Sequence, residues 1–245
     1  MSFFNTLYIW LSNSFCEPST VLTDLILAFF CFWCFRMISS YQNRSEAVDR
    51  WSLFFLLIGT STFFGSIAHS ISCNTNSFTY QMVWGVMQLT SGMSVFYAQR
   101  SVISAQISNN KQKRILERFT LFQFIVFVPC VLLFMDFKVV AINSAIGLFQ
   151  LLYLTFPQKV NVWNYNSMVS SGFIISFASI YVNRNQLSFA SWFNYNDVAH
   201  MIMLLSLFLI YSGVKDKHQN LELPTNINTV PPEFDNSKEV YEEIN

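Results

Sequence analysis

Long apolar stretches broken by short polar ones set the pattern of this chain. Seven runs stand out: Val21–Ile38, Trp51–Ile71, Tyr80–Tyr97 (extendable to about residue 105), Phe119–Met135, Val139–Phe156, Ser167–Val182 and Val198–Val214. A helix needs roughly 20 mostly apolar residues to cross the hydrocarbon layer of a bilayer, and these runs approach that length. They exceed the roughly 10 residues of a barrel strand and do not alternate. The pattern therefore predicts an all-α fold, a seven-transmembrane helix bundle. Only Asp136–Lys138 separate the fourth and fifth runs, which predicts an antiparallel hairpin. Asn143, Gln150 and several Ser interrupt runs five and six, the weakest of the set.

The flanks divide the chain. "SFCEPSTVLTD" puts Pro18 in the first turn of the first helix, where its missing N–H costs nothing. Glu17, just before it, sits near the positive end of the helix dipole. The preceding "MSFFNTLYIWLSNSF" is apolar but too short to span and lacks the basic n-region of a signal peptide. Residues 1–15 are expected to lie at the membrane interface, with Tyr8 and Trp10 at headgroup level. Residues 16–214 form the seven-helix domain. Residues 215–245 carry seven acids, three Lys and three Pro, and are expected to be a disordered acidic tail.

Composition agrees with a membrane protein. Of 245 residues, 53% are hydrophobic and only 11% charged, against about a quarter charged in a typical soluble domain. Net charge is zero, so bulk electrostatics names no partner. Nothing in the sequence points to nucleic acid, and no Gly-rich phosphate loop is present. Membrane lipid is the expected partner, with oligomeric state left open. Seven spans put twelve basic residues on one side (Arg36, Arg44, Arg50, Arg100, Lys111, Lys113, Arg114, Arg118, Lys159, Lys215, Lys217 and Lys238) and two, Lys138 and Arg184, on the other. That asymmetry predicts an N-terminus outside and a cytoplasmic C-terminus.

Within or beside the apolar runs the ionisable groups considered are Glu17, Asp24, His69, Asp197 and His200. A charge in hydrocarbon costs between about 3 and more than 10 kcal/mol, so five such residues need an explanation. The predicted topology puts all five near the outer ends of helices one, two and seven. No group at the cytoplasmic ends of these helices is expected to be used in the same way. Asp197 and His200, in "NDVAH", are three apart and share a helix face; Ser66 and His69 do likewise. Two imidazoles with one or two carboxylates suit zinc, which as a catalytic ion keeps three protein ligands and lowers the pKa of bound water to about 7. The same groups could instead tie the helices together, or serve transport or sensing.

Other features have plainer readings. "CFWC", Cys31 to Cys34, lies inside an apolar run and reads as packing, as does Cys130. Cys16 and Cys73 both fall on the outer side and can pair if that compartment is oxidising. "NKQKR" is a basic cluster that suits anionic headgroups, although positive-inside anchoring also accounts for it. Gly59 and Gly65 allow close helix packing. "NRS" at Asn43 matches a glycosylation sequon but falls in a cytoplasmic loop.

With "FCEPSTVLTDLILAFFCFW", "GSIAH" and "NDVAH" in view, residues 16–214 loosely resemble the alkaline ceramidase and progestin–adiponectin receptor-like superfamily of seven-helix hydrolases. They also resemble an uncharacterised group of bacterial membrane proteins. The resemblance implies a zinc held by one His of helix two and two of helix seven, beside a Ser and an Asp, and hydrolysis of a lipid amide. His69 and His200 match two of those ligands. The first helix-seven ligand falls on Asn196, so Asp197 is its expected replacement. The family's Ser falls on Gly65, next to Ser66, and its Asp near the start of helix three has no match. The expected site is then a zinc held by His69, Asp197 and His200. Asp24 would be general base or orient an imidazole, and Ser66 would stabilise charge on the attacked oxygen. The expected function is a zinc-dependent hydrolase of lipid amides or esters. The alternative is a non-enzymatic receptor or proton-coupled transporter built on the same cluster.

Overall fold

A computed structural model of the chain describes residues 15–156, 164–190 and 192–222. The described residues form seven α-helices: α1 (Pro18–Ser39), α2 (Glu46–Ser70), α3 (Phe78–Gln106), α4 (Asn110–Phe134), α5 (Phe137–Thr155), α6 (Tyr165–Arg184) and α7 (Tyr195–Glu222), with one short 3₁₀ turn, Ser72–Asn74. Each apolar run of the sequence lies on one of them. The expected interfacial segment, with Tyr8 and Trp10, lies outside the described residues, as do Lys159 and the chain beyond 222. The tail expected from residue 215 begins later, because α7 continues to Glu222.

Side-chain caps start most of the helices. Ser45, Ser77, Asn109, Asp136 and Asn164 each accept from a backbone N–H of the turn that follows, satisfying donors that would otherwise be orphaned. Helix α1 differs: Pro18 opens it, and Glu17 makes no side-chain cap bond. The α4–α5 hairpin turns through Met135 and Asp136. Met135 is left-handed at φ 50°, a conformation that costs a non-glycine residue energy. The Gln88 amide fixes that turn by donating to the Met135 carbonyl.

Helices α1, α2, α6 and α7 pack around a core that includes Leu27, Cys31, Cys34, Trp51, Phe55, Phe173, Leu207 and Ile210. Helix α3 joins α2 to α4 and α5, and α5 leads to α6. Glycines set the close crossings. A Cβ on Gly59 would meet the Phe32 ring at 2.9 Å, and one on Gly172 would meet the Ser206 carbonyl at 2.8 Å. Cys31 and Cys34 are free and buried, as packing residues should be, whereas Cys130 is only half-buried.

Five helices, α1, α2, α4, α5 and α7, are long and apolar enough to cross a membrane by length and composition. Helices α3 and α6 fall short of that apolarity, whereas α5, among the weakest runs by sequence, reaches it. The reason lies in what α3 and α6 turn inward. Gln88, Ser94, Gln99 and Ser101 of α3 and Ser170 and Ser179 of α6 are all buried. Helix α4, by contrast, turns Phe119, Phe122, Ile125, Leu132 and Leu133 outward. A chain presenting such surfaces is a membrane protein.

Candidate functional site

The first turn of α1 lies between the end of α2 and the start of α7. A Cys16–Cys73 disulfide ties the residue before α1 to the turn after α2. Beside it, the Glu17 carboxylate reaches across rather than capping its own helix. Its Oε2 is 3.0 Å from Nδ1 of His69, and its Oε1 accepts from the Ser72 hydroxyl at 3.0 Å. The hydrogen bond from His69 holds the Glu17 carboxyl below the ordinary carboxylate range, against the opposing effect of partial burial.

Two turns further into α1, Asp24 is 3% exposed. Its Oδ1 is 3.4 Å from Nε2 of His200 on α7. Gly65, four residues before His69, makes this approach possible: a Cβ there would lie 3.0 Å from Oδ2 of Asp24. A side chain at this position would crowd the Asp24 carboxylate. Ser66, expected to stabilise developing charge, instead donates to the Phe63 carbonyl of its own helix at 2.7 Å.

Asp197 has a different task from the one expected. The Asn194 side chain accepts from the backbone N–H of Asn196 and Asp197, while Oδ2 of Asp197 accepts from the backbone N–H of Asn194 at 2.8 Å. This reciprocal arrangement is a capping box with Asp in place of Glu. Oδ1 of Asp197 accepts from the Thr23 hydroxyl at 3.2 Å. Both carboxylate oxygens are therefore engaged. Asn196, which falls on a family ligand position, accepts from the Asn183 amide at 2.9 Å.

Thr23 links the two halves of the cluster. Its hydroxyl has one proton and three acceptors in reach: the Thr20 carbonyl at 3.1 Å, Asp197 Oδ1, and His200 Nδ1 at 2.9 Å. If Thr23 donates to His200, the Nε2–H of a neutral imidazole faces Asp24. If it donates to Asp197, Nδ1–H of His200 donates to Thr23, and the Asp24–His200 contact then needs one further proton. Proton occupancy at that contact is linked to the direction of a single hydroxyl.

The structure thus brings Glu17 to His69, Asp24 to His200, and Asp197 to Thr23 across α1, α2 and α7. The expected zinc set does not fit this geometry. Among the described residues no three His, Cys, Asp or Glu are disposed to hold one metal ion. Asp197 is committed to the cap and to Thr23, and Nδ1 of His69 to Glu17.

Two polar assemblies elsewhere were not foreseen. Between α3, α4 and α5, the Gln99 amide donates to Oε1 of Gln123 at 2.9 Å and of Gln150 at 2.6 Å. Gln123 in turn donates to the carbonyl and side chain of Asn143, both at 2.9 Å. At the opposite end of the bundle from the disulfide, Arg50 pairs with Glu46 and lies 3.6 Å from Glu117, which Arg100 also approaches at 3.6 Å. The expectation that the far ends of helices one, two and seven are not used in this way is corrected for α2, whose Glu46 and Arg50 join this assembly. The sequence signal was available, since Glu46 and Arg50 are four apart on one helix face.

Comparison with characterised proteins gives no match, and comparison with solved structures gives none. A family model described as "Family of unknown function (DUF6962)" matches residues 19–219, from the first turn of α1 to the last turns of α7, and the chain belongs to that family.

Proposed function

We propose that this protein is a seven-helix membrane receptor for protons, with its N-terminus outside and its C-terminus in the cytosol. The observation that carries the reading is the pair of carboxylate–imidazole contacts, Glu17–His69 and Asp24–His200, that join three helices at one end of the bundle. Histidine is the side chain whose charge ordinarily changes between about pH 5 and 8. A proton gained or lost at either contact alters the attraction between helices, which is the requirement for a switch.

Orientation and span number belong to the same reading. The disulfide suits an oxidising exterior. The Arg50–Glu46–Glu117 assembly and Lys111, Lys113 and Arg114 then fall on the cytosolic side, in keeping with the positive-inside rule. Helices α3 and α6 complete seven spans because their polar side chains are covered by neighbours rather than by lipid.

A receptor is favoured over a transporter by what lies beneath the cluster. Leu27, Cys31, Cys34 and Ile38 continue the α1 face toward the cytosol, against Phe55, Leu207 and Ile210. These side chains have no group that carries a proton onward at neutral pH, which favours a receptor. The zinc-dependent lipid hydrolase is the weaker reading, because its third ligand serves as a helix cap.

Proton uptake by the full chain in nanodiscs, titrated between about pH 5 and 8, tests the proposal. A protonation step that disappears in His200→Gln and in Asp24→Asn supports it. Absence of any step in the wild type overturns it. Sustained proton flux through proteoliposomes would replace receptor with transporter. Stoichiometric zinc lost on His69→Ala with His200→Ala would restore the hydrolase.

A further inference from the structure

A second feature lies at the same end of the bundle as the disulfide, and it does not rest on proton binding by the cluster. Where the start of α3 meets the α4–α5 hairpin, a cavity of about 550 Å³ opens to the surface. The residues lining it include Tyr80, Trp84 and Phe137, the acid Asp136, and Gln81 and Met135. Tyr80 and Trp84 stack with centroids 5.7 Å apart, and Trp84 lies 6.2 Å from Phe137. Three rings and an acid around one concavity are the chemistry that recognises an organic cation: ring faces attract the positive charge, and the carboxylate neutralises it.

We infer that this pocket binds an alkylammonium group, either the trimethylammonium headgroup of a choline lipid or a free choline-like cation. An interfacial aromatic belt would also place Tyr and Trp at this level, but a belt needs neither a concavity nor an acid. The pocket is held ready. Met135 is fixed in its left-handed turn by Gln88, and Asp136 caps α5 through the backbone N–H of Lys138. Lys138 Nζ lies 3.5 Å from Oδ2 of Asp136, but its side chain is 82% exposed. An ion pair that open to solvent is weak and easily displaced.

The test uses the full chain in phosphatidylglycerol nanodiscs, titrated with choline and with its neutral isostere 3,3-dimethylbutanol. Choline should bind and the isostere should not. Trp84→Ala and Asp136→Asn should each weaken choline roughly three- to ten-fold, and Trp84→Phe less. Asparagine preserves the α5 cap, so unchanged thermal unfolding in Asp136→Asn separates lost charge from lost structure. Lys138→Gln should tighten binding. Loss of the choline signal in phosphatidylcholine nanodiscs, with that lipid retained by the purified protein, assigns the pocket to the headgroup; retention of the signal assigns it to a soluble cation. Equal binding of choline and isostere overturns the inference. So do wild-type affinity in both pocket variants, and failure of choline to bind together with failure of phosphatidylcholine to be retained.

Discussion

At the disulfide-bearing end of α1, α2 and α7 the buried polar groups are acids set against imidazoles; between α3, α4 and α5 they are carboxamides. Both assemblies satisfy polar atoms away from water and both bind helices together. They differ in what they respond to. Gln99, Gln123, Gln150 and Asn143 have no proton to gain or lose in the physiological range, so their hydrogen bonds persist at any pH. Glu17, His69, Asp24 and His200 are ionisable, and their contacts depend on charge. On the proposed reading, one side of the bundle is built to stay together and the other to register its surroundings. A disulfide tethers only the second.

That contrast can be broken experimentally. The largest effect is expected from replacing Cys16 and Cys73 together by Ser. The bond closes a sequence separation of 57 residues, and its loss should lower stability by about 2–4 kcal/mol in denaturant titration. An unchanged midpoint would show that the tether is dispensable. Next, Gln99→Leu removes the donor shared by Gln123 and Gln150 and should cost about 1–2 kcal/mol. The loss should be the same at pH 5 and pH 8; a pH-dependent loss would erase the distinction between the two sides. Thr23→Val removes the hydroxyl between Asp197 and His200, with an expected cost of about 0.6 kcal/mol. Its larger signature is a displaced protonation midpoint, read by proton uptake.

The smallest effect lies at acid pH. Because His69 holds the Glu17 carboxyl below its ordinary value of 4.5, Glu17 contributes stability that is present above that value. The contribution fades as pH falls through the lower value of the folded state. Glu17→Gln should flatten this acid limb of the unfolding profile and leave the neutral region with a small, constant loss. A limb as steep as the wild type's would remove Glu17 from the pairing.

The apolar runs located all seven helices, although α4 begins nine residues before its run and α7 ends eight residues after its own, because the polar turns that extend a helix carry no apolar signal. The convergence of Glu17, Asp24, His69 and His200 was legible for a different reason: topology fixes the depth of each helix end. The capping role of Asp197 was not read from the sequence, although Asn194 three residues earlier is the signature of a cap. A capping carboxylate and a metal ligand look alike until partners are seen. The amide assembly was missed because Gln and Asn carry no charge to draw notice, and their meeting depends on side-chain reach across three helices. Gly65 was read as a packing residue, and packing is part of its task. The atom it admits is a carboxylate oxygen, which no spacing rule indicates.

The length of α7 carries a last implication. Its 28 residues extend about 42 Å, against a hydrocarbon layer of about 30 Å. On the proposed reading, with the first turn of α7 at one edge of that layer, roughly two turns project past the other, bearing Lys215, Lys217 and His218. Lys217 bonds the Ala105 carbonyl, and His218 stacks on Tyr41. A rigid rod anchored by its capped first turn acts as a lever. On the proposed reading, a small tilt where His200 meets Asp24 reappears at the far end as a larger sideways travel, available to whatever waits in the cytosol.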